Sequence, residues 1–210
     1  MDLSKNKNHW DIVYETKSPD QVSWTQEKPE ISLDLIASFG LKKDAKIIDI
    51  GGGESHLVDI LIDKGYQDIT VLDISANALE KTKKRLGKKS EKVKFIVTDI
   101  TKFEPEFQYD LWHDRATFHF LTEEEQISSY LDIAGKSIKG FMVLGTFSKN
   151  GPTKCSGLEI KQYDEESMEK QFANHFEKIQ CISSDHTTPF DTIQNFTFCS
   201  FKKKIPYLNP

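Results

Sequence analysis

The sequence predicts an α/β fold: a doubly wound sheet of seven strands, mostly parallel, with an antiparallel last strand and helices on both faces. Two observations predict it. Short Ile- and Val-rich runs alternate with helical patterns along most of the chain, the signature of strand–crossover–strand units. The C-terminal part then holds two strand-like runs with no helix between them, which implies an antiparallel pair.

The elements follow in order. Residues 1–41 read as an N-terminal helical cap carrying His9, Trp10, Tyr14, Trp24 and Gln26. Ala45–Ile50, Asp68–Ile74 and Lys92–Thr98 are continuous apolar runs suited to strands covered on both faces. Between them, Ser55–Lys64 and Ala76–Leu86 show helical spacing and stop at Gly65 and Gly87. Tyr109–His113 is expected as a fourth strand. Thr122 with Glu125 is expected as a capping box for a helix to about Ser137. Gly140–Phe147 is expected as a fifth strand. Asp164 is expected to cap a helix with Met168, Phe172 and Phe176 on one face. Glu177–Ser183 and Gln194–Lys202 complete the sheet, joined by His186–Thr192. The sheet domain spans 42–204, leaving 205–210 as a tail.

Composition narrows the function classes. A formal net charge of -5 over 210 residues argues against a dedicated nucleic-acid binder. No apolar run approaches the length of a membrane span, and the polar N-terminus has no signal-peptide core. Three cysteines without a CxxC pair argue against a metal cluster and read as reduced thiols of a cytoplasmic protein. Lys81–Lys94 holds eight Lys or Arg and one acid, the pattern of a solvated helix face and turn.

The strongest site signal is Asp49-Ile50-Gly51-Gly52-Gly53-Glu54-Ser55, directly after the first strand and before a helix. Glycines there let the backbone turn sharply and approach a ligand. A dinucleotide fingerprint needs a third glycine at position 56, where His56 stands. Asp73 ends the second strand, 22 residues after Gly51, where a carboxylate can accept from both hydroxyls of a ribose. Ile74, next along, is placed to pack on an adenine ring.

These motifs, with the paired final strands, resemble the class I S-adenosylmethionine-dependent methyltransferases of Rossmann-like, seven-stranded fold, in the bacterial form with an N-terminal cap. The resemblance implies S-adenosylmethionine as cofactor. It implies that Asp49, Gly51 and Gly53 face its methionine end, that Asp99 and Ile100 meet the adenine, and that the backbone around Trp112 holds the methionine moiety. It also implies that the cap closes the site, with Trp24 and Gln26 facing substrate.

The residues after the fourth strand carry the expected chemistry. His113 or His119 is a candidate general base. Arg115 is a candidate catalytic or anion-binding group, and Asp114 is placed to orient either. The structural alternatives are an internal Asp114–Arg115 ion pair and a core histidine at 119. Ser148–Gln162 follows another strand end, so Cys155 is expected to contact substrate, without acting as a nucleophile. The reaction implied is methyl transfer to a small-molecule or protein side-chain acceptor. An NAD-dependent oxidoreductase on a similar sheet, or a cofactor-binding protein without catalysis, stands as the alternative.

Overall fold

The computed structural model describes residues 3–205, so the expected tail lies outside the described residues except for Ile205. Seven strands form one sheet: β1 (Lys46–Ile50), β2 (Asp68–Asp73), β3 (Val93–Val97), β4 (Tyr109–Arg115), β5 (Ile138–Phe147), β6 (Phe176–Thr187) and β7 (Ile193–Lys203). Their order is β3-β2-β1-β4-β5-β7-β6. The pairs from β3 across to β5 are parallel, and β7 runs antiparallel to both β5 and β6. The helices are α1 (Leu3–Thr16), α2 (Glu30–Ser38), α3 (Leu57–Asp63), α4 (Ala76–Leu86), α5 (Glu124–Ser137) and α6 (Glu165–Phe172). No described helix is long and apolar enough to cross a membrane.

Strand parity builds two cores. Successive side chains on a strand point to opposite faces. Ile48, Ile50, Trp112, Met142 and Leu144 therefore pack with Tyr130 of α5 and Met168 and Phe172 of α6. Ile47, Val71, Leu111 and Val143 pack with Leu35 and Ile36 of α2, Leu57 and Leu61 of α3 and Leu79 of α4. The segment before the sheet thus divides: α2 belongs to the second core, while α1 and residues 18–29 lie over the strand ends. Helix α4 is fixed by Ser75, whose hydroxyl accepts from the Ala78 N–H at 3.3 Å. The basic run along α4 and β3 is largely neutralised by Glu54, Asp59, Asp63 and Glu106.

Local expectations needed adjustment in four places. The box that opens α5 is formed by Glu123 and Gln126, one residue later than expected, after a 3-10 turn over Phe118–Phe120. Helix α6 ends at Phe172, so Phe176 starts β6 and reaches the same cluster from a strand. The last two strands are longer than expected and the connection shrinks to 188–192. Cys181 and Cys199 are not separate thiols: the β6–β7 register sets them opposite one another, Cα atoms 4.1 Å apart, as a disulfide. Their 18-residue separation concealed this, because only hairpin register brings such positions together.

Candidate active site

The strand order reverses between β1 and β4, and open α/β sheets bind ligands at such a point, outside the carboxyl ends of the strands. A pocket of about 1290 Å³, counted to its open mouth, lies there. Its floor comes from the ends of β1, β2, β3 and β4, and its roof from α1 and residues 19–26.

The glycine loop follows β1. Gly51 and Gly53 have φ values of 61° and 45°, in the left-handed region that glycine tolerates. Space enforces the choice as well. A Cβ at Gly51 would stand 1.8 Å from Thr117 Oγ1, and one at Gly53 would stand 2.5 Å from the Tyr14 hydroxyl. The loop is therefore clasped between the turn after β4 and the cap helix.

Three carboxylates stand along this floor. Asp49 is buried, with Oδ1 2.6 Å from His113 Nδ1, while Oδ2 is buried without a partner. Asp73, also buried, accepts the Ser75 N–H at 2.8 Å through Oδ1, and its Oδ2 lies against Gly53. Burial pushes the Asp73 carboxyl up to about 7, partly opposed by the N–H groups of Ser75 and Gly53. Asp99 is half-buried, and its Oδ1 caps the next turn through the N–H and hydroxyl of Thr101. Ile74, Ile100, Leu72 and Leu121 provide apolar surface beside these acids.

Strand parity separates the β4 residues. His113 shares the face of Asp49, its register partner on β1. Its Nε2 lies 2.8 Å from Ser32 Oγ of α2, so both ring nitrogens are engaged and the ring is 2% exposed. It positions Asp49, and the expectation of a free base at His113 does not fit that geometry. Asp114 points the other way. Its carboxyl, pushed up to about 6 by burial, accepts from the N–H groups of Thr117 and Phe118 and from the Tyr130 hydroxyl. It closes the turn after β4 and does not line the pocket. Trp112 has the same parity and donates to the Tyr130 hydroxyl at 2.9 Å in the core, away from the pocket. From β4 and the turn after it, His113, Arg115, Ala116 and Thr117 line the pocket.

His119 is also corrected. It is fully buried, accepts the Phe147 N–H through Nδ1, and does not line the pocket. Burial pulls its pKa to about 3. Arg115 does line the pocket, and it donates to the Trp24 carbonyl at 3.0 Å rather than pairing with Asp114.

The roof is aromatic. Trp10 packs edge-on against Trp24 and Phe120, with centroids 5.7 and 5.0 Å apart, and Tyr14 packs on Trp24. Gln26 lines the pocket and bonds His186 Nδ1 at 3.1 Å, while His186 Nε2 donates to the Ser23 carbonyl. Helix α1 is moored by Asp11, which accepts from the Ser75 hydroxyl at 2.7 Å. Cys155 reaches the pocket from a short hairpin, its thiol pushed up to about 12 by burial, which opposes formation of a thiolate. The sequence assigns a site role in the cap to Trp24 and Gln26 alone, and gives none to Trp10, Tyr14, Phe120 or Thr117. The aromatic spacing of α1 was visible, but which of its faces meets the pocket is a matter of docking.

A glycine-clasped, acid-lined pocket at the switch point of a sheet ordered 3-2-1-4-5-7-6 defines the class I methyltransferase fold. The chain belongs to the family described as methyltransferase domain, whose family model matches residues 41–188. It is 28% identical over 123 residues to the eEF1A lysine and N-terminal methyltransferase of Mus musculus, covering 58% of this chain and 17% of that protein. It is 32% identical over 105 residues to malonyl-[acyl-carrier protein] O-methyltransferase 2 of Ilyobacter polytropus, covering 50% of this chain and 40% of that protein. The chain thus spans less than half the length of these two relatives. The solved N-methyltransferase NodS of Bradyrhizobium japonicum WM9, in complex with S-adenosyl-L-homocysteine, superposes with a TM-score of 0.72 at 14% identity, over 95% of this chain and all of that one.

Proposed function

We propose that this protein transfers a methyl group from S-adenosylmethionine to a small-molecule or protein side-chain acceptor held beneath the cap. The observation that carries the reading is the pair of acids flanking the glycine loop. Asp73 keeps one carboxylate oxygen against Gly53, and Asp49 keeps one buried oxygen without a partner. A buried acceptor left unpaired, as Asp49 Oδ2 is, is costly, and an ammonium donor of the cofactor would satisfy it, while the carboxylate of Asp73 would accept from hydroxyls. Asp73 would hold the ribose. Asp49, Gly51 and Gly53 would hold the methionine end. Ile74, Asp99, Ile100 and Leu121 would enclose the adenine. Bound there, the cofactor supplies a methyl group already activated by a sulfonium.

The chain's own contribution is alignment and exclusion of water, effects that supply roughly 7–11 kcal/mol in well-oriented reactions. With His113 committed to Asp49 and Ser32, and His119 outside the pocket, neither histidine serves as the base. An acceptor that arrives as a carboxylate, a thiolate or a neutral amine needs none. Trp24, Gln26, Trp10, Phe120 and Cys155 would surround it. The relatives named above are a lysine and N-terminal methyltransferase of eEF1A and an O-methyltransferase of malonyl-[acyl-carrier protein], so this fold serves acceptors of several kinds. We place the protein in the cytoplasm, where the reducing environment would work against the Cys181–Cys199 disulfide.

Titration calorimetry with S-adenosylmethionine, S-adenosylhomocysteine and NAD tests the cofactor. Binding of the first two alone is expected, with Asp73→Ala weakening both more than tenfold; near-normal affinity in that variant removes the ribose assignment. NAD binding would favour the oxidoreductase alternative. Transfer of labelled methyl into metabolite and protein pools then separates an enzyme from a protein that only binds the cofactor.

A further inference from the structure

The cap loop carries an amide whose orientation is set by a chain of hydrogen bonds. His186 stands on β6, 8% exposed, and its Nε2 lies 2.7 Å from the Ser23 carbonyl. A carbonyl only accepts, so Nε2 carries the ring proton. Burial, with the Arg115 charge nearby, lowers the His186 pKa and keeps the ring neutral. Nδ1 is therefore an acceptor. The Gln26 side chain meets it at 3.1 Å and must offer Nε2, its donor end. The amide cannot turn over without setting Oε1 against the Nδ1 lone pair. Gln26 lines the pocket, and among the described residues no donor meets its Oε1.

The roof that carries Gln26 is aromatic, with Trp24 two residues earlier and Trp10 and Phe120 packed beside it. A group that reaches Gln26 leaves water, so its polar atoms need partners there. Of the three acceptors that need no base, a carboxylate and a thiolate present only lone pairs, which Oε1 repels. A neutral amine presents N–H. Desolvation and the charge of Arg115 in the same pocket both disfavour an ammonium. An alcohol would have to lose its proton. Beside Gln26 both His186 nitrogens are engaged, and burial opposes ionisation of Cys155.

We propose that Gln26 Oε1 accepts an N–H of the methyl acceptor, that the acceptor nucleophile is a neutral amine bearing at least one hydrogen, and that His186 is the positioning residue that holds the amide in this sense. This rests on the methyltransferase reading and narrows its acceptor. In the transfer, the amine lone pair forms the bond to the methyl carbon as the carbon–sulfur bond breaks, and that electron pair stays on sulfur. Nitrogen gains positive charge, so Oε1 holds its N–H more strongly in the transition state than in the bound substrate. The N-methylammonium product then gives its proton to water.

The test uses aniline, N,N-dimethylaniline and benzoate. Near neutral pH they present an amine with N–H, an amine without it and a carboxylate on the same ring. Calorimetry measures their binding to the S-adenosylhomocysteine-loaded protein, and thermal melts identify variants that fold. Wild type is expected to favour aniline at least fivefold over each of the others. Gln26→Leu should reduce that preference to twofold or less. His186→Phe should lose most of it, whereas His186→Asn, whose amide oxygen replaces Nδ1 as acceptor, should keep it. Equal loss in His186→Phe and His186→Asn, or none in either, removes the positioning role. With S-adenosylhomocysteine bound, tighter binding of benzoate, equal binding of the two amines, no binding of aniline, or an unchanged preference in Gln26→Leu overturns the proposal alone. Labelled methyl that the protein transfers into a cell extract should resist base; its release as methanol, the mark of a methyl ester, overturns the amine assignment. Failure of S-adenosylhomocysteine to bind wild type removes the methyltransferase reading and the proposal with it.

Discussion

The two faces of β4 divide its labour. Trp112 and Asp114 turn toward α5 and knit the fold through Tyr130, whereas His113 and Arg115 turn toward α2 and the cap and shape the pocket. All four are adjacent in sequence, and three are polar or charged. A run of chemistry-bearing residues on a strand is therefore two sets, and alternation assigns each member to one of them. Asp114 and His113 teach this most clearly. Each is a buried ionisable group with several hydrogen bonds, but one secures a turn and the other secures a site acid.

The largest expected effect comes from removing the fold-side member. Asp114→Ala leaves two backbone N–H groups unpaired and the Tyr130 hydroxyl without its acceptor, and a broken buried polar network of that kind costs about 3–5 kcal/mol. Urea unfolding should show that loss. His113→Ala should cost less stability, about 1–3 kcal/mol, but should weaken S-adenosylhomocysteine binding, because Asp49 loses its partner. Equal stability losses with unchanged ligand affinity in His113→Ala would erase the distinction between the faces.

A second effect separates the two buried acids by pH. The Asp73 carboxyl is raised to about 7 in the folded protein from 3.8. Folding therefore favours its protonated form: its contribution to stability is fully present below pH 3.8 and falls as pH rises through about 7. Ligand affinity should run the opposite way, since the ionised oxygen is the better acceptor for ribose hydroxyls. Calorimetry between pH 6 and 8 should show tighter S-adenosylhomocysteine binding as pH rises, and Asp73→Asn should flatten the profile. Asp114, raised to about 6, has the same sign in stability, lost as pH rises through about 6. Because it does not line the pocket, it should add nothing to the binding profile.

The smallest effect is expected at His119. His119→Gln keeps an acceptor for the Phe147 N–H, so turnover at saturation should stay within about twofold of wild type in a methyl-transfer assay. A loss of a hundredfold would return His119 to the chemistry.

The sequence alone determined the layered architecture and the ligand-binding end of the sheet. Helix and strand periods, the reversed last strand, the glycine bend and the acid that ends β2 are local properties, set by backbone sterics and by which residues tolerate a tight turn. Gly51, Gly53, Asp73 and Ile74 were legible for that reason, and Asp49, Asp99 and Ile100 through the family resemblance; all but Gly53 line the pocket, and Gly53 lies against Tyr14 and Asp73. Only the tertiary structure decided which β4 side chains meet the ligand, that Asp49 lies beside His113, that Cys181 faces Cys199, and that α1 brings Trp10 and Tyr14 over the glycine loop. Those facts depend on strand register and on how a helix docks. Register and docking are fixed by packing between residues far apart in the chain, and a one-residue change in parity turns a binding side chain into a core one.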